Sequence, residues 1–543
     1  LDANEGRAAS GSLRDVLDRI DASDLARYSN ASALERAIAS RFGIAPGRVV
    51  VTNGADDAID RICRVSLEKG RALLTHSPSF EMIERSATLA GASVRTIRWM
   101  GGRFPASRFI SELTQETSLV ALVSPNNPTG GVIDRESLHE IIAAARAFGA
   151  LVMLDLAYIE FADGDPTIEL LEKPNVVLVR TFSKALGLAG ARVGYSISSL
   201  EIADWIRTVG GPYPVSSVSL ALASAALDAE AEQVFFIDQI RSERESLSDL
   251  LLGFGCEVLE SQANFVTARF TNAAFVRRSL AALGIAVRSF PNRDELDGFL
   301  RISLPGDKAA FDRLRASLRT ILDPQAILFD LDGVLADVSD SYRQAIVETA
   351  RSFGITLSFD EISEAKHAGN ANNDWELTHR LLEQRGVRCG LGEVTKRFQN
   401  SYLGSQDNPG LRESERFLTS RPTLERLGDR FKLGIVTGRP RTEAEWFLRR
   451  AGVRELFEAM VCMEDAPAKP AADPVLLAMA QLSVERAWML GDTPDDIASA
   501  RKAAVLPLGV LAPGDGERAI GAMEVAGAAI VLERVGQLEE VIQ

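Results

Sequence analysis

At 543 residues the chain exceeds what one ordinary hydrophobic core organises, so its length alone favours two to four domains. Hydrophobic residues at 46% and charged residues at 25% exclude a disordered chain or a membrane-embedded one. A net charge of −15 with no lysine/arginine run excludes the basic footprint of a nucleic-acid or anionic-lipid binder and leaves small molecules as the expected substrates.

Short apolar runs that read as buried strands recur between helical patterns at residues 49–51, 72–75, 119–123, 151–154 and 176–179. Alternation of this kind predicts an α/β fold with a mainly parallel sheet. From about Tyr195 helices dominate through Leu252, and a smaller mixed region follows with strand-like stretches at 264–267, 285–288 and 300–303. A small α/β subdomain over about 240–322 is expected there. The helical pattern 308–322 ends at Asp323 and Pro324, because proline cannot donate to a continuing helix. At Ala326 an α/β pattern begins afresh, which divides the chain into domains at 1–322 and 325–543 with a linker of a few residues. In the second domain 326–329, 433–436 and 488–490 read as buried parallel strands, and a largely helical insert of about 341–430 separates the first two.

Cys63, Cys256, Cys389 and Cys462 are widely spaced and form no zinc or disulfide pattern, which fits a reducing compartment. No segment approaches the ~20 apolar residues of a membrane span, and no signal-peptide pattern opens the chain, so a cytoplasmic location is expected. The chain starts at Leu1 without methionine, and native residues are expected to precede it.

The chemistry of the first half centres on Lys184, which follows a buried strand and is flanked by Thr181, Ser183, several glycines and Arg192. A lone lysine in a loop is usually only solvated. These neighbours change the reading, because pyridoxal phosphate needs a lysine for its aldehyde and anion-binding groups for its phosphate. Thr181, Ser183 and Arg192 supply such groups, and Gly54, Ala55 and Asp56 offer backbone N–H groups at a helix start. Asp155, at the end of a strand, is placed to pair with the pyridine nitrogen, although an aspartate there also serves as a plain helix cap. Tyr158 and Asn127 are candidates to hydrogen-bond the ring's phenolic oxygen; alone, the Asn127 segment 124–130 reads as a turn.

Together these stretches resemble the aspartate-aminotransferase-like fold of pyridoxal enzymes, a large mainly parallel sheet domain plus a small α/β domain, and are most similar to histidinol-phosphate aminotransferases. The resemblance covers roughly residues 1–322 and is carried by Arg27 and Tyr28, 52–57, 78–80, 124–130, 155–158, 181–192, 212–214, 261–265, 284–288 and 301–303. It implies that Lys184 is both Schiff-base partner and proton shuttle, that Phe80 stacks on the pyridine ring, and that Tyr28 reaches the cofactor phosphate of a neighbouring subunit in a homodimer. It further implies that Arg301 and Arg288 bind substrate anions, a carboxylate or a phosphate. Leu156 stands where the family usually has Glu, and the family's N-terminal Asn-Glu-Asn-Pro pattern is altered after Glu5.

In the second half Asp330 and Asp332 lie one residue apart just beyond a buried strand, so both project to one side. The first can attack phosphorus while the second protonates the leaving oxygen and later activates water; alone, the stretch reads as an Asp/Gly turn. Thr437 offers a hydroxyl to the phosphoryl group, Lys469 a neutralising charge, and Asp492 and Asp496 further carboxylates suited to Mg²⁺. These motifs, in order, resemble the haloacid-dehalogenase-like phosphatases, which implies a Rossmann-like fold with a helical cap and Asp330, the backbone carbonyl of Asp332, and Asp492 as metal ligands. The resemblance also implies phosphatase rather than dehalogenase chemistry, because dehalogenases of this superfamily lack the acid at Asp332. The polar stretch 366–375 in the insert is a candidate for substrate contacts or simply a capping turn before the helix near Trp375.

Three readings follow. The first is a bifunctional biosynthetic enzyme acting on histidinol phosphate, with 2-oxoglutarate and glutamate as the amino pair. The second keeps both chemistries on another phosphorylated substrate, phosphothreonine-type decarboxylation included, and the third makes one half a non-catalytic sensor or scaffold.

Overall fold

The computed structural model describes residues 1–6, 11–369, 373–405 and 408–542. Its chain divides into two compact units, one comprising Leu1–Phe270 with Val287–Arg313 and the other Thr271–Ala286 with Leu314–Gln543.

The first unit is built on a seven-stranded sheet: β1 (Val49–Thr52), β2 (Ala72–Ser77), β3 (Ser93–Arg98), β4 (Thr117–Val123), β5 (Leu151–Asp155), β6 (Val176–Thr181) and β7 (Gly194–Ile197), in the order β1-β7-β6-β5-β4-β2-β3. β7 runs antiparallel to both its neighbours, and β2 to β6 pair in parallel. β4, β6 and β7 are buried along their whole length, as strands covered on both faces should be. A four-stranded antiparallel sheet has the order β10-β11-β9-β8, from β8 (Glu257–Val258), β9 (Phe265–Arg269), β10 (Arg288–Ser289) and β11 (Phe299–Ser303). The helix Glu230–Gly253 precedes it.

Two strands of the large sheet escape the apolar-run rule. β3 is an edge strand in which Ile97 alone is buried and Ser93, Thr96 and Arg98 are exposed, so it lacks a buried strand's signature. β7 is short and follows a glycine-rich stretch that reads as loop.

The second unit contains β12 (Ala326–Phe329), β13 (Ala336–Asp337), β14 (Gly404–Ser405), β15 (Asn408–Pro409), β16 (Arg416–Phe417), β17 (Lys432–Val436), β18 (Ala459–Val461), β19 (Ala487–Gly491), β20 (Leu506–Val510) and β21 (Val531–Leu532). Six of them form a parallel sheet in the order β18-β17-β12-β19-β20-β21. β12 lies between β17 and β19, which places the carboxyl end of β12 at the topological switch point, where ligands bind in open α/β sheets. Between β13 and β16 the insert carries the helices Tyr342–Ser352, Phe359–His367, Asp374–Gln384 and Leu391–Leu403. Asn373 caps the third of these by accepting from the N–H groups of Trp375 and Glu376, so this end of the polar stretch has a capping role; residues 370–372 lie outside the described residues.

Candidate active sites

In the first unit the carboxyl ends of β4, β5 and β6 converge on a cavity of about 470 Å³. Its walls include Ala55, Asp56, Phe80, Asn127, Asp155, Tyr158, Thr181, Ser183, Lys184, Arg192, Arg288 and Arg301. Gly54 begins the helix Gly54–Ser66, whose N-cap residue Asn53 makes no side-chain cap bond. Tyr28 does not line this cavity: the residue is 82% exposed, and its ring stacks on Tyr213 with centroids 4.4 Å apart. β7 approaches the start of the same helix closely, since a Cβ on Gly194 would lie 2.5 Å from the Ala55 nitrogen, so the position demands glycine.

Lys184 Nζ donates to the Asn4 carbonyl at 2.8 Å and lies 5.5 Å from the centre of the Tyr158 ring. Asp155 is buried, and burial pushes its carboxyl up to about 7; Asp56 adds to the rise, while the Ala157 N–H and Lys184 oppose it. One Asp155 oxygen accepts from the Ala157 N–H at 3.0 Å. Thr181 donates to Ser183 at 2.9 Å, and Arg192 pairs with Asp56 at 2.8 Å. Arg301 donates through Nη1 to Asn127 Oδ1 at 2.6 Å and through Nη2 to the Asp2 carbonyl at 2.7 Å. Arg288 sits opposite Arg301 across β10 and β11, which brings the two guanidinium-bearing residues to one wall.

Residues missed in the sequence complete this cavity. Asn4 is buried, takes the left-handed conformation that Asn tolerates, donates to the Tyr158 hydroxyl at 2.8 Å and accepts from Ser303 at 3.0 Å. Asp2, Glu81, Phe290 and Arg293 also line the walls. The signal for Asn4 was its place in the altered N-terminal family pattern, to which no role was given, and no spacing ties residues 2–5 to Lys184.

In the second unit Asp330 follows β12 directly, Thr437 follows β17 and Asp492 follows β19, so three parallel strands deliver them to one end of the sheet. Lys469 Nζ stands 2.9 Å from Asp330 Oδ1, pairs also with Asp496 Oδ1, and donates to the Val436 carbonyl at 3.2 Å. The other oxygen of Asp496 accepts from Thr493 N at 3.0 Å and from its hydroxyl at 2.5 Å, so Asp496 positions Lys469 and caps the following helix. Thr437 and Lys469 border a small cavity of about 40 Å³. Asp332 lies apart from this cluster in one respect: its Oδ1 accepts from Arg439 at 2.5 Å.

Carboxylate oxygens of Asp330, Asp492 and Asp496 lie within 4.8 Å of one another. Burial, then Asp496 and Asp332, push the Asp330 carboxyl up to about 7 against the opposing pull of Lys469, and burial with Asp496 and Asp330 pushes Asp492 well up. Two of these buried carboxylates, Asp330 and Asp496, pair with the Lys469 ammonium, and the charges of Lys366 and Arg343 oppose the rise at Asp492; the hard oxygens of all three form a donor set that fits Mg²⁺. Gly333 allows this crowding, since a Cβ there would meet Asp492 Oδ2 at 2.1 Å and its φ of +74 is left-handed.

Residues 4–318 match the family described as aminotransferase class I and II. The chain belongs to that family. Residues 327–510 match haloacid dehalogenase-like hydrolase, so the protein is an aminotransferase fused to a hydrolase. A histidinol-phosphate aminotransferase from Aeromonas hydrophila is 32% identical over 313 residues, 56% of this chain and 87% of that protein. An imidazoleglycerol-phosphate dehydratase from Phytophthora nicotianae is 44% identical over 220 residues, 39% of this chain and 49% of that protein; the chain spans about half the length of this relative. Among solved structures, histidinol-phosphate aminotransferase from Sinorhizobium meliloti in complex with pyridoxal 5'-phosphate superposes with a TM-score of 0.53 at 28% identity, covering 58% of this chain and 88% of that one.

These findings bear out the expected α/β architecture, an aspartate-aminotransferase-like fold joined to a haloacid dehalogenase-like one. The fold family of the aminotransferase half implies pyridoxal phosphate. Its cavity fits that group: a helix start without a side-chain cap, two hydroxyls and Arg192 suit a phosphate, and the under-compensated Asp155 suits a protonated ring nitrogen. No described helix is long and apolar enough to cross a membrane.

Proposed function

We propose that the chain performs two reactions: amino transfer between a phosphorylated amine and a 2-oxo acid in its aminotransferase half, with pyridoxal 5'-phosphate, and Mg²⁺-dependent hydrolysis of a phosphate monoester in its hydrolase half. Histidinol phosphate is the shared substrate we favour, with 2-oxoglutarate and glutamate as the amino pair. It is supported by relatives named for histidinol-phosphate aminotransfer and by the dehydratase relative, which points to the same biosynthesis. The observation that carries the proposal is the pairing, on one chain, of a cavity holding Lys184, Asp155 and two arginines with a strand-end cluster holding Asp330, Lys469 and Asp492.

Pyridoxal phosphate supplies an aldehyde that a lysine amine captures and a ring that withdraws electrons from the substrate carbon. Lys184 contributes the amine, and its Nζ moves the proton to and from the substrate Cα. Asp155 would hold the proton at the ring nitrogen, and Tyr158 and Asn127 would bond the ring's phenolic oxygen. Thr181, Ser183, Arg192 and the N–H groups at Gly54, Ala55 and Asp56 would hold the cofactor phosphate, with Phe80 against the ring. Tyr28 would serve a neighbouring subunit of a homodimer, which agrees with its exposure and with its place outside the walls of the cavity of its own chain. Arg301 and Arg288 would bind the substrate's anionic end.

In the hydrolase half Asp330 attacks phosphorus as the ester oxygen leaves with a proton from Asp332. Water then hydrolyses the aspartyl phosphate and returns a proton to Asp332. Thr437 donates to a phosphoryl oxygen, and Lys469 neutralises charge beside the nucleophile. Mg²⁺, held by Asp330, Asp492 and the Asp332 carbonyl, would supply the charge that offsets repulsion between nucleophile and phosphate. Purified protein mixed with histidinol phosphate, Mg²⁺ and 2-oxoglutarate should shift the cofactor's absorbance and release phosphate. Cofactor-loaded protein that ignores histidinol phosphate yet hydrolyses a generic ester would overturn the substrate and keep the chemistries.

A further inference from the structure

Arg439 is among the largest fully buried side chains of the molecule, and the reaction as described above assigns it nothing. It follows Thr437 by two residues, and its backbone N–H donates to the Thr437 hydroxyl at 3.2 Å. Its guanidinium then divides between two carboxylates. Nε and Nη2 both lie 2.5 Å from Asp332 Oδ1, whereas Nη1 donates to Glu415 Oε2 at 3.0 Å and to the Tyr402 hydroxyl at 3.3 Å. Glu415, itself without solvent exposure, has its other oxygen filled by Ser341 at 2.9 Å and Tyr402 at 3.0 Å. Tyr342 covers the guanidinium with its ring centre 4.7 Å away. Arg439 comes from the end of a core strand, whereas Tyr342, Tyr402 and Glu415 all belong to the insert between β13 and β16. Of the Asp332–Arg439–Glu415 triad only Asp332 reaches solvent, with its side chain 22% exposed.

A buried cation shared by two carboxylates is an expensive way to join two layers, and an apolar cluster of the same volume would join them as well. What the charge adds is direction: a planar fork fixes the carboxylate it grips. We infer that Arg439 is the positioning residue of the leaving-group acid, gripping Asp332 Oδ1 so that Oδ2 is the oxygen that exchanges a proton. Glu415 and Tyr402 of the insert hold Arg439 in that posture. As Asp330 forms its bond to phosphorus and the ester P–O bond breaks, the proton on Oδ2 passes to the departing oxygen; when water attacks the aspartyl phosphate, Oδ2 takes a proton back. The inference rests on the phosphatase reading of the second unit.

A residue that aims a leaving-group acid matters in proportion to how badly the leaving group needs a proton. An alkyl phosphate leaves as a strongly basic alkoxide unless protonated, and 4-nitrophenyl phosphate leaves readily without help. The test compares kcat on glycerol phosphate and on 4-nitrophenyl phosphate for the full-length protein and its Arg439→Lys and Arg439→Ala variants. Arg439→Ala is expected to lose roughly a hundredfold on the alkyl ester and under about fivefold on the aryl ester. Guanidinium ion at millimolar concentration is expected to restore the alkyl rate of Arg439→Ala selectively, and Arg439→Lys to fall between. Equal losses on both esters would mean that Arg439 merely joins the layers and would overturn the inference while leaving the phosphatase reading intact. Hydrolysis of neither ester by the parent protein would remove both. If Arg439→Ala does not fold, Glu415→Gln decides: the same skew at smaller size supports the inference, and an even loss sinks it.

Discussion

The two candidate sites use the same two residue types with their roles exchanged. In the first unit a lysine is the proposed reactive group and a buried aspartate its support; in the second an aspartate is the proposed nucleophile and a buried lysine the support. The surroundings explain the exchange. Lys184 Nζ has a neutral carbonyl as its near partner, and Asp155 is held at a strand end by a backbone N–H. Lys469 is instead clamped between Asp330 and Asp496, which hold it charged and raise its pKa above the usual lysine range against the cost of burial. A lysine locked as an ammonium can neutralise but not attack; the two aspartates are both pushed up to about 7 and differ in what they face, a backbone N–H at Asp155 and an ammonium with further carboxylates at Asp330.

The sharpest way to break this comparison is to remove each proposed nucleophile separately. Lys184→Ala should reduce amino transfer by ~10⁴-fold or more and leave phosphate release within about twofold of the parent, and Asp330→Asn should do the reverse. Glutamate-dependent cofactor conversion and free phosphate, measured on the same preparations, check both. A joint loss would show that the two halves do not act as separate enzymes.

A smaller effect separates the two arginines. Arg301 is buried and its two terminal nitrogens serve different acceptors, whereas Arg288 is exposed. Arg301→Ala should raise KM for the phosphorylated amine by about a hundredfold and Arg288→Ala by about tenfold, the range of one charge-assisted hydrogen bond in dry and in wet surroundings. Arg301→Lys should not recover, because a single ammonium cannot bridge Asn127 and Asp2 as the fork does. Equal KM effects would show that burial does not set the strength of anion binding here.

Most strands of the two sheets in the first unit were legible because they are apolar runs bounded by turn residues, and most reactive candidates because they stand after such runs. β3 was not, since an exposed edge strand carries arginines where a buried one carries valines. Arg439 was not, because a Thr-Gly-Arg-Pro sequence reads as a turn and its partners Asp332 and Glu415 lie 107 and 24 residues away. Asn4 was missed for the same reason, being 154 residues from Tyr158 and 180 from Lys184. Strand ends are local features of a sequence; the polar networks that tie them together are made in three dimensions by residues that no spacing rule connects.

The support residues give the next test. Asp155 rises from the ordinary 3.8 to about 7 in the folded protein, so the fold binds its proton more tightly than the unfolded chain does. Stability from this group is therefore complete below about pH 4 and is lost as pH rises through 7, by at most roughly 4 kcal/mol. Cofactor-free Asp155→Asn protein should lack that part of the decline, so its Tm relative to the parent should improve between pH 5 and pH 8. Parallel Tm curves for the two proteins would show that the Asp155 charge is already balanced without the cofactor.

Cation removal should produce the smallest shift and the clearest contrast between units. With Asp330 pushed up to about 7 and Asp492 well up, protons compete with Mg²⁺ for the same oxygens. Near pH 6, below the Asp330 value of about 7, that carboxyl is mostly protonated and its repulsion is already relieved, so a chelator should change little. At pH 8, above the Asp330 value of about 7, that carboxylate is charged beside its acidic neighbours and depends on a cation, so Mg²⁺ at about ten times its Kd should add about 1.4 kcal/mol, a Tm rise of a few degrees. Asp492→Asn should abolish the response, whereas Asp155→Asn should leave it untouched. A Mg²⁺ response that is equal at both pH values would mean that the ion binds elsewhere than among Asp330, Asp492 and the Asp332 carbonyl, and the exchange of roles between the two sites would then rest on the first unit alone.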